Sequence, residues 1–374
     1  MTGRRKKRIV LVGGGHAHAI AMTRWQDGVL PKDSEVILVE PNSEVGYSGM
    51  LPGYVAGHYA RSDLMIDLES LALRSKARLL VDRVIGVNAD TQTVELQSGS
   101  AVGYDILSLN IGLFSSSQDF PFADVHTTPL KPLNTFIRGW ENLLANETLL
   151  RTNAKVIVIG AGIAGIEMAL AMQYWLKNEG SSLSVMLVER SSTLLPETPS
   201  VGRKLHKALQ SAEVDVMLNS TPSLVSEHGV ALTDGWILES PFVVLATGGQ
   251  PNPTIDATDL SASKNGFFAV SSNLLVEGHD NIFAVGDCAD FPRTPRPKAG
   301  VYAIRAGAVL ADNIEALCTG KTLQLYKPQS SFMKLVSLGE KAAILSRGQI
   351  ALEAPGMWKL KDHIDRSFMA RLKT

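Results

Sequence analysis

One pattern occurs twice in this chain of 374 residues: an apolar strand, a glycine turn, a helix, and a second apolar strand that ends in an acid. In the first copy Ile9-Val10-Leu11-Val12 runs into Gly13-Gly14-Gly15-His16-Ala17-His18, and the second strand, Val36-Ile37-Leu38-Val39, ends at Glu40. In the second copy Val156-Ile157-Val158-Ile159 runs into Gly160-Ala161-Gly162-Ile163-Ala164-Gly165, and Val185-Met186-Leu187-Val188 ends at Glu189. The glycines let the backbone turn tightly and approach a pyrophosphate, whose charge then rests on a helix N-terminus. Each acid follows its turn by roughly two dozen residues, where a carboxylate can accept hydrogen bonds from a ribose diol. One such motif is a weak signal. Two complete units predict two dinucleotide sites, and a protein holding two dinucleotides can pass a hydride between them.

Parallel strands alternating with helices predict layered α/β domains with ligands at the carboxyl ends of the strands. The length allows two or three domains, and 45% hydrophobic with 20% charged residues fits a globular chain. A formal net charge of −1 gives no reason to expect nucleic acid as a partner. The two cysteines, Cys288 and Cys318, form no CxxC, which argues against a disulfide framework and fits a reducing, cytoplasmic setting. No apolar run is long enough to span a bilayer. The basic start, Arg4-Arg5-Lys6-Lys7-Arg8, precedes a strand and lacks the apolar region of a secretory signal. It reads as a solvated tail, with contact to anionic lipid as the alternative.

The organisation expected is a discontinuous first nucleotide-binding domain (residues 1–130 and 251–320), a second (131–250), and a small C-terminal α+β domain (321–374). Short β-prone runs are expected at 78–85, 93–96 and 104–109, a crossover at 114–132 and a helix at 134–147. The second unit adds strands at 214–218 and 242–246. Asn281-Ile282-Phe283-Ala284-Val285 reads as a buried strand returning to the first domain, followed by a helix over 300–317. The tail reads as strands at 332–337 and 342–346, then an amphipathic helix from Met357. Its apolar stripe, Leu360, Ile364, Phe368 and Leu372, is expected to pack on the protein. The alternative is an interfacial helix on anionic membrane, given Lys359, Lys361, Arg366, Arg371 and Lys373.

On these motifs the chain resembles the FAD-dependent pyridine nucleotide–disulfide oxidoreductase superfamily over nearly its whole length. The two glycine turns carry the resemblance, together with Tyr104-Asp105 before Gly112, Ala246-Thr247-Gly248 before Pro251-Asn252, and Phe283-Ala284-Val285-Gly286-Asp287. It is most similar to type II NADH dehydrogenases, and closer still to the flavoprotein module associated with selenophosphate synthetase. That last likeness rests on His16-x-His18, Tyr47-Ser48-Gly49-Met50-Leu51-Pro52-Gly53, Arg296-Pro297-Lys298-Ala299-Gly300-Val301 and Asp362-x-Ile364-Asp365-Arg366-x-Phe368-Met369. The resemblance implies two Rossmann-like domains, FAD on the first unit, NAD(P)H on the second and a C-terminal interface domain over the flavin. A homodimer and peripheral contact with the cytoplasmic face of a membrane fit the same family.

Three departures from the family pattern matter. His18 stands where the third glycine allows close packing of helix and strand. No cysteine lies between Glu40 and Gly57, so the dithiol chemistry of the disulfide reductases is excluded. Lys298-Ala299-Gly300 replaces the Ala-Gln pair of the quinone-reducing relatives, which puts a standard quinone pocket in doubt.

Gly13, Gly14, Gly15, His16, Ala17, His18 and Glu40 are the residues expected around FAD, with Gly286 and Asp287 at its ribityl–pyrophosphate region. Gly160, Gly162, Gly165, Glu189 and Gly248 are expected around the nicotinamide cofactor. Glu189 favours NADH by repelling a 2′-phosphate, while Arg190 beside it leaves NADPH open. Metal binding by His16 and His18 is set aside because a third ligand is lacking. Lys298 is expected near the flavin pyrimidine ring, where a cation stabilises the reduced anion; the alternative is a surface lysine. Glu167 faces the nicotinamide–flavin junction by resemblance, or is a helix N-terminal acid. Cys288 is expected beside the flavin as a structural thiol. The activity expected is an NAD(P)H dehydrogenase that delivers electrons to a quinone or other small acceptor. A redox-sensing NADH/FAD-binding protein and a reductase of selenium metabolism are the rival readings.

Overall fold

The computed structural model describes residues 5–26, 30–115, 123–255 and 257–373. Two five-stranded parallel sheets organise it, built on one plan. In the first, the strand order is Ile282–Ala284, Ile106–Leu109, Lys7–Val12, Ser34–Glu40 and Arg78–Val81. In the second it is Thr128–Pro129, Phe242–Leu245, Lys155–Ile159, Ser184–Val188 and Asp215–Met217. The strand that enters each glycine turn is central, flanked on one side by the strand ending in the acid. Ile9, Val10 and Leu11, like Val156, Ile157 and Val158, are fully buried, as strands covered on both faces must be.

The helices that leave the turns are His16–Arg24 and Ile163–Asn178. The first packs against Gly300–Thr319 so closely that a Cβ on Gly307 would lie 2.5 Å from the Ala17 carbonyl oxygen. Ala17 is therefore a packing residue of this helix pair. The expected helix at 134–147 is Leu133–Leu144 followed by a short turn of helix, Glu147–Leu150.

The run expected at 78–85 divides between two sheets. Arg78–Val81 is the edge of the first parallel sheet, and Val84–Asn88 pairs antiparallel with Thr93–Leu96. The chain breaks direction at Asp82, whose carboxylate accepts the N–H of Arg83 at 2.7 Å. Part of the expected crossover, residues 116–122, lies outside the described residues, as does Arg4 of the basic run.

The C-terminal region is a three-stranded antiparallel sheet, Lys334–Leu338, Glu340–Arg347 and Ile350–Glu353, covered by the helix Met357–Lys373. Its third strand has no counterpart in the sequence reading; it follows a turn at Gly348, where φ is +58°. The helix packs on the protein with Phe368 and Leu372 of the expected stripe buried, but its buried face leaves out the other two stripe residues. Leu360 and Ile364 are 39% and 42% exposed, whereas Trp358, Lys361, Asp365, Phe368, Met369 and Leu372 are buried. A stripe counted on apolar residues alone misses that Lys361 and Asp365 can be buried as a pair. Lys361 Nζ lies 2.6 Å from Asp365 Oδ2 and donates to the Gly49 carbonyl at 2.6 Å; Tyr47 donates its hydroxyl to Asp365 Oδ1 at 3.0 Å. No described helix is long and apolar enough to cross a membrane.

Candidate functional site

At the first turn, Gly13 has φ +93°, and a Cβ there would lie 2.4 Å from the Asn110 carbonyl oxygen. Only glycine meets both demands. The Gly14 N–H donates to Glu40 Oε2 at 2.8 Å, and Asn42 Nδ2 donates to Glu40 Oε1 at 3.2 Å. Burial raises the Glu40 carboxyl above its ordinary range against these hydrogen bonds, which pull it down. The second turn repeats the brace: Ala161 N–H donates to Glu189 Oε2, and Ser191 N–H to Glu189 Oε1, both at 2.8 Å. Arg190 is exposed. Both acids therefore hold the turn that precedes them as well as standing at the ends of their strands.

Gly13, Gly15, His16, Glu40, Asp287 and Gly300 line one cleft of about 280 Å³ at the carboxyl ends of the first sheet's strands. Gly286, with φ +72°, turns the chain so that Asp287 reaches this cleft, and a Cβ on Gly286 would meet Asn110 Oδ1 at 2.5 Å. Gly14 lies behind the turn, its α-carbon facing Leu68 and Glu40.

Three of the expected residues, Lys298, His18 and Cys288, stand outside the lining of this cleft. Lys298 does not line the cleft: its ammonium donates to the Ala289 carbonyl at 2.6 Å and sits 3.9 Å over the Phe267 ring. Three cationic residues line the cleft, Arg83, Lys131 and Arg138, and Lys131 places its Nζ 2.9 Å from Asp287 Oδ2. Nothing local in the sequence distinguishes Lys131 from other lysines; only its long-range pairing with Asp287 does. His18 faces away from the cleft, buried under the turn. Its Nδ1–H donates to the Gly13 carbonyl at 2.7 Å and its Nε2 accepts from Ser108 Oγ at 2.8 Å. Burial lowers its pKa to about 4, so the ring is neutral in this role. Cys288 is buried outside the cleft lining, its thiol facing the Val285 and Leu109 carbonyls and pushed up to about 11 by burial.

His16 does line the cleft. Its ring packs edge-on against Tyr47 and Phe368, at centroid distances of 5.2 and 6.0 Å. Burial first, and the Lys131 charge second, lower its pKa to about 4. Glu167 is partly buried against the C-terminal sheet, where it accepts the Ser337 N–H at 2.7 Å. Burial raises its pKa to about 7, moderated by the Lys361 charge and the Ser337 hydrogen bond. The sequence pattern missed Lys131, Asn110, Tyr47 and the Lys361–Asp365 pair.

Two observations test whether these turns fit dinucleotides. Asn110 Nδ2 is buried beside Gly15 with no hydrogen-bond partner, a donor waiting at the mouth of the first turn. At the second turn, a Cβ on Gly162 or on Gly248 would meet nothing within 4 Å. The protein's own packing therefore does not explain glycine at these positions, whereas a pyrophosphate against the backbone does. Gly165 differs: a Cβ there would lie 1.9 Å from the Gly160 carbonyl oxygen, so its role is to let helix meet strand.

Comparison with known proteins agrees with this geometry. The sequence family described as pyridine nucleotide-disulphide oxidoreductase matches residues 7–307. The chain is 21% identical over 371 residues to the NADH dehydrogenase-like protein YutJ of Bacillus subtilis, covering 96% of this chain and 99% of that one. It is 22% identical over 340 residues to the type II NADH:quinone oxidoreductase of Staphylococcus saprophyticus, covering 84% of each. The sulfide:quinone oxidoreductase of Aquifex aeolicus shares the fold, with a TM-score of 0.77 at 18% identity over 98% of this chain and 91% of that one. Two braced glycine turns on two parallel sheets, with a family match across both, make this chain an FAD- and NAD(P)H-dependent oxidoreductase that belongs to the pyridine nucleotide-disulphide oxidoreductase family.

Proposed function

We propose that the protein oxidises NADH and delivers the electrons to a quinone or similar small acceptor, with no redox disulfide between. The observation that carries this reading is the state of the thiols. Cys288 and Cys318 are both free; Cys288 is buried against backbone carbonyls, with its pKa raised by burial. A thiol so placed is a poor nucleophile. The similarity to a type II NADH:quinone oxidoreductase supports a quinone as acceptor.

Bound FAD supplies the redox chemistry, taking up a hydride and releasing electrons singly or in pairs. The chain's own residues bind and orient. The first turn and Glu40 hold the pyrophosphate and adenosine ribose of FAD, while Asp287, paired with Lys131, orients the ribityl end. The second turn holds NADH, and Glu189 selects it over NADPH by repelling a 2′-phosphate. Glu167, with its pKa raised to about 7, can exchange a proton near neutrality beside Lys361. The exposed Leu360 and Ile364, on a helix that also carries Lys359 and Arg366, support contact with an anionic membrane surface where a quinone would reside.

Anaerobic stopped-flow spectroscopy tests the proposal. NADH should bleach the flavin, and a soluble quinone should restore its colour, in the wild type and in Cys288→Ala/Cys318→Ala alike. A double variant that holds FAD and is reduced by NADH, yet is no longer reoxidised by the quinone, would overturn it.

A further inference from the structure

The C-terminal sheet meets the helix Ile163–Asn178 at the turn between its first two strands. Gly339 makes that turn with φ +87°, and a Cβ there would lie 2.4 Å from the Leu170 carbonyl oxygen and 3.2 Å from Tyr174 Cβ. Just before it, the Ser337 N–H donates to Glu167 Oε1. Glu167, Leu170 and Tyr174 thus face one turn of the sheet. Leu170 lies about 12 Å along the axis from Gly162, the cap that joins this helix to the second glycine turn.

His58 reaches the same place from the first nucleotide unit. Its Nε2–H donates to the Gly339 carbonyl at 2.8 Å; a carbonyl only accepts, so the proton sits on Nε2. Its ring centroid lies 5.1 Å from that of Tyr174 and 5.0 Å from that of Trp358. The chain arrives through Gly57, with φ +80°, where a Cβ would lie 3.4 Å from the Trp175 ring. Among the described residues this is the only hydrogen bond that joins residues 5–115 to the C-terminal sheet. One imidazole therefore touches the sheet's turn, the helix that leaves the second glycine turn, and the C-terminal helix. Ring contacts are tolerant of sliding, whereas a hydrogen bond fixes distance and direction.

Resting on the reading that NADH reduces bound FAD, we propose that His58 is a positioning residue for hydride transfer. It pins the Gly339 turn against the helix Ile163–Asn178, and so fixes the second glycine turn relative to the flavin cleft. His58 does not line that cleft, so it acts through the helix and touches neither cofactor. A displacement of about 1 Å between reacting groups can cost a hundredfold in rate. Affinity for NADH depends instead on the second turn and Glu189, which move with the helix as one body. Loss of the pin therefore belongs in the rate at saturation.

Anaerobic stopped-flow reduction of the FAD-loaded protein over a range of NADH concentrations tests this. His58→Phe keeps a ring and removes the donor. Its limiting rate of flavin reduction should fall about tenfold, while the half-saturating NADH concentration stays within about twofold of wild type. The long-wavelength charge-transfer absorbance of reduced flavin with NAD⁺, which needs stacked rings, should weaken with it. His58→Gln offers an amide N–H at similar reach and should bring the rate back to within about threefold of wild type. Tyr174→Leu strips the ring from the opposite face and should slow the limiting step about twofold to fourfold; it decides if His58→Phe does not retain FAD. A wild-type limiting rate in the variants that hold FAD, or equal slowing in His58→Phe and His58→Gln, overturns the proposal. A wild type whose flavin NADH never reduces would overturn the underlying reading as well.

Discussion

The two glycine turns perform one task with different packing. In the second, Gly165 brings helix and strand together so closely that the Gly160 carbonyl would lie 1.9 Å from any added Cβ. In the first, the matching position is His18, and the matching carbonyl, that of Gly13, accepts a hydrogen bond from its ring at 2.7 Å. One turn closes by removing a side chain. The other closes by inserting one and bonding it at both ends, to Gly13 and to Ser108. A missing third glycine therefore does not mark a degenerate dinucleotide turn when a buried polar side chain can satisfy the same carbonyl.

The largest expected effect breaks the second solution. Gly165→Ala places a methyl group against a backbone oxygen that cannot yield cheaply, and should destabilise the protein by more than about 3 kcal/mol, beyond the usual cost of overpacking. Denaturant unfolding measures this; a loss below 1 kcal/mol, taken as about the threshold for an ordinary surface change, would mean the helix can shift away from the strand to admit the methyl group.

His18→Ala tests the first solution and should cost about 2–3 kcal/mol, from a cavity and an orphaned Ser108 hydroxyl. Its sign with pH is fixed by the lowered pKa. The neutral ring contributes its full stabilisation above the unfolded value of 6.5, and that contribution is lost as pH falls through about 4. The difference in melting temperature between wild type and His18→Ala should accordingly shrink on going from pH 7 towards 4, and a difference that grows instead would refute the neutral assignment.

Gly162→Ala should change stability least, within about 0.5 kcal/mol, because the new methyl group meets only open space. Its effect should fall on NADH, whose affinity should drop at least about tenfold as the pyrophosphate is held off the backbone. Titration of flavin reduction against NADH concentration separates the two. Unchanged affinity would show that the pyrophosphate does not lie against Gly162.

Much of this was legible in the sequence because the signals are local. Strand, glycine and acid lie within one short stretch, and their spacing predicts the sheet order around each turn. The C-terminal helix was legible as a helix but only partly in its facing, since burying Lys361 requires Asp365, Tyr47 and the Gly49 carbonyl together, and of these only Asp365 is local. Lys131 was illegible for the same reason: its partner, Asp287, is distant in sequence. Lys298 drew attention through its motif, yet a carbonyl and an aromatic ring already occupy its ammonium.

The strand Ile282–Ala284 completes the first sheet by pairing with Ile106–Leu109, after the whole of the second sheet has been laid down between them. During synthesis, the second sheet's strands leave the ribosome as one uninterrupted block, and can close while the first sheet still waits for its outermost member. Until residue 284 emerges, the wholly buried strand Ile106–Leu109 presents an apolar edge with unpaired amides and carbonyls. The inserted unit is then the early-formed partner, and the older half of the nascent chain is the one that depends on company during its making.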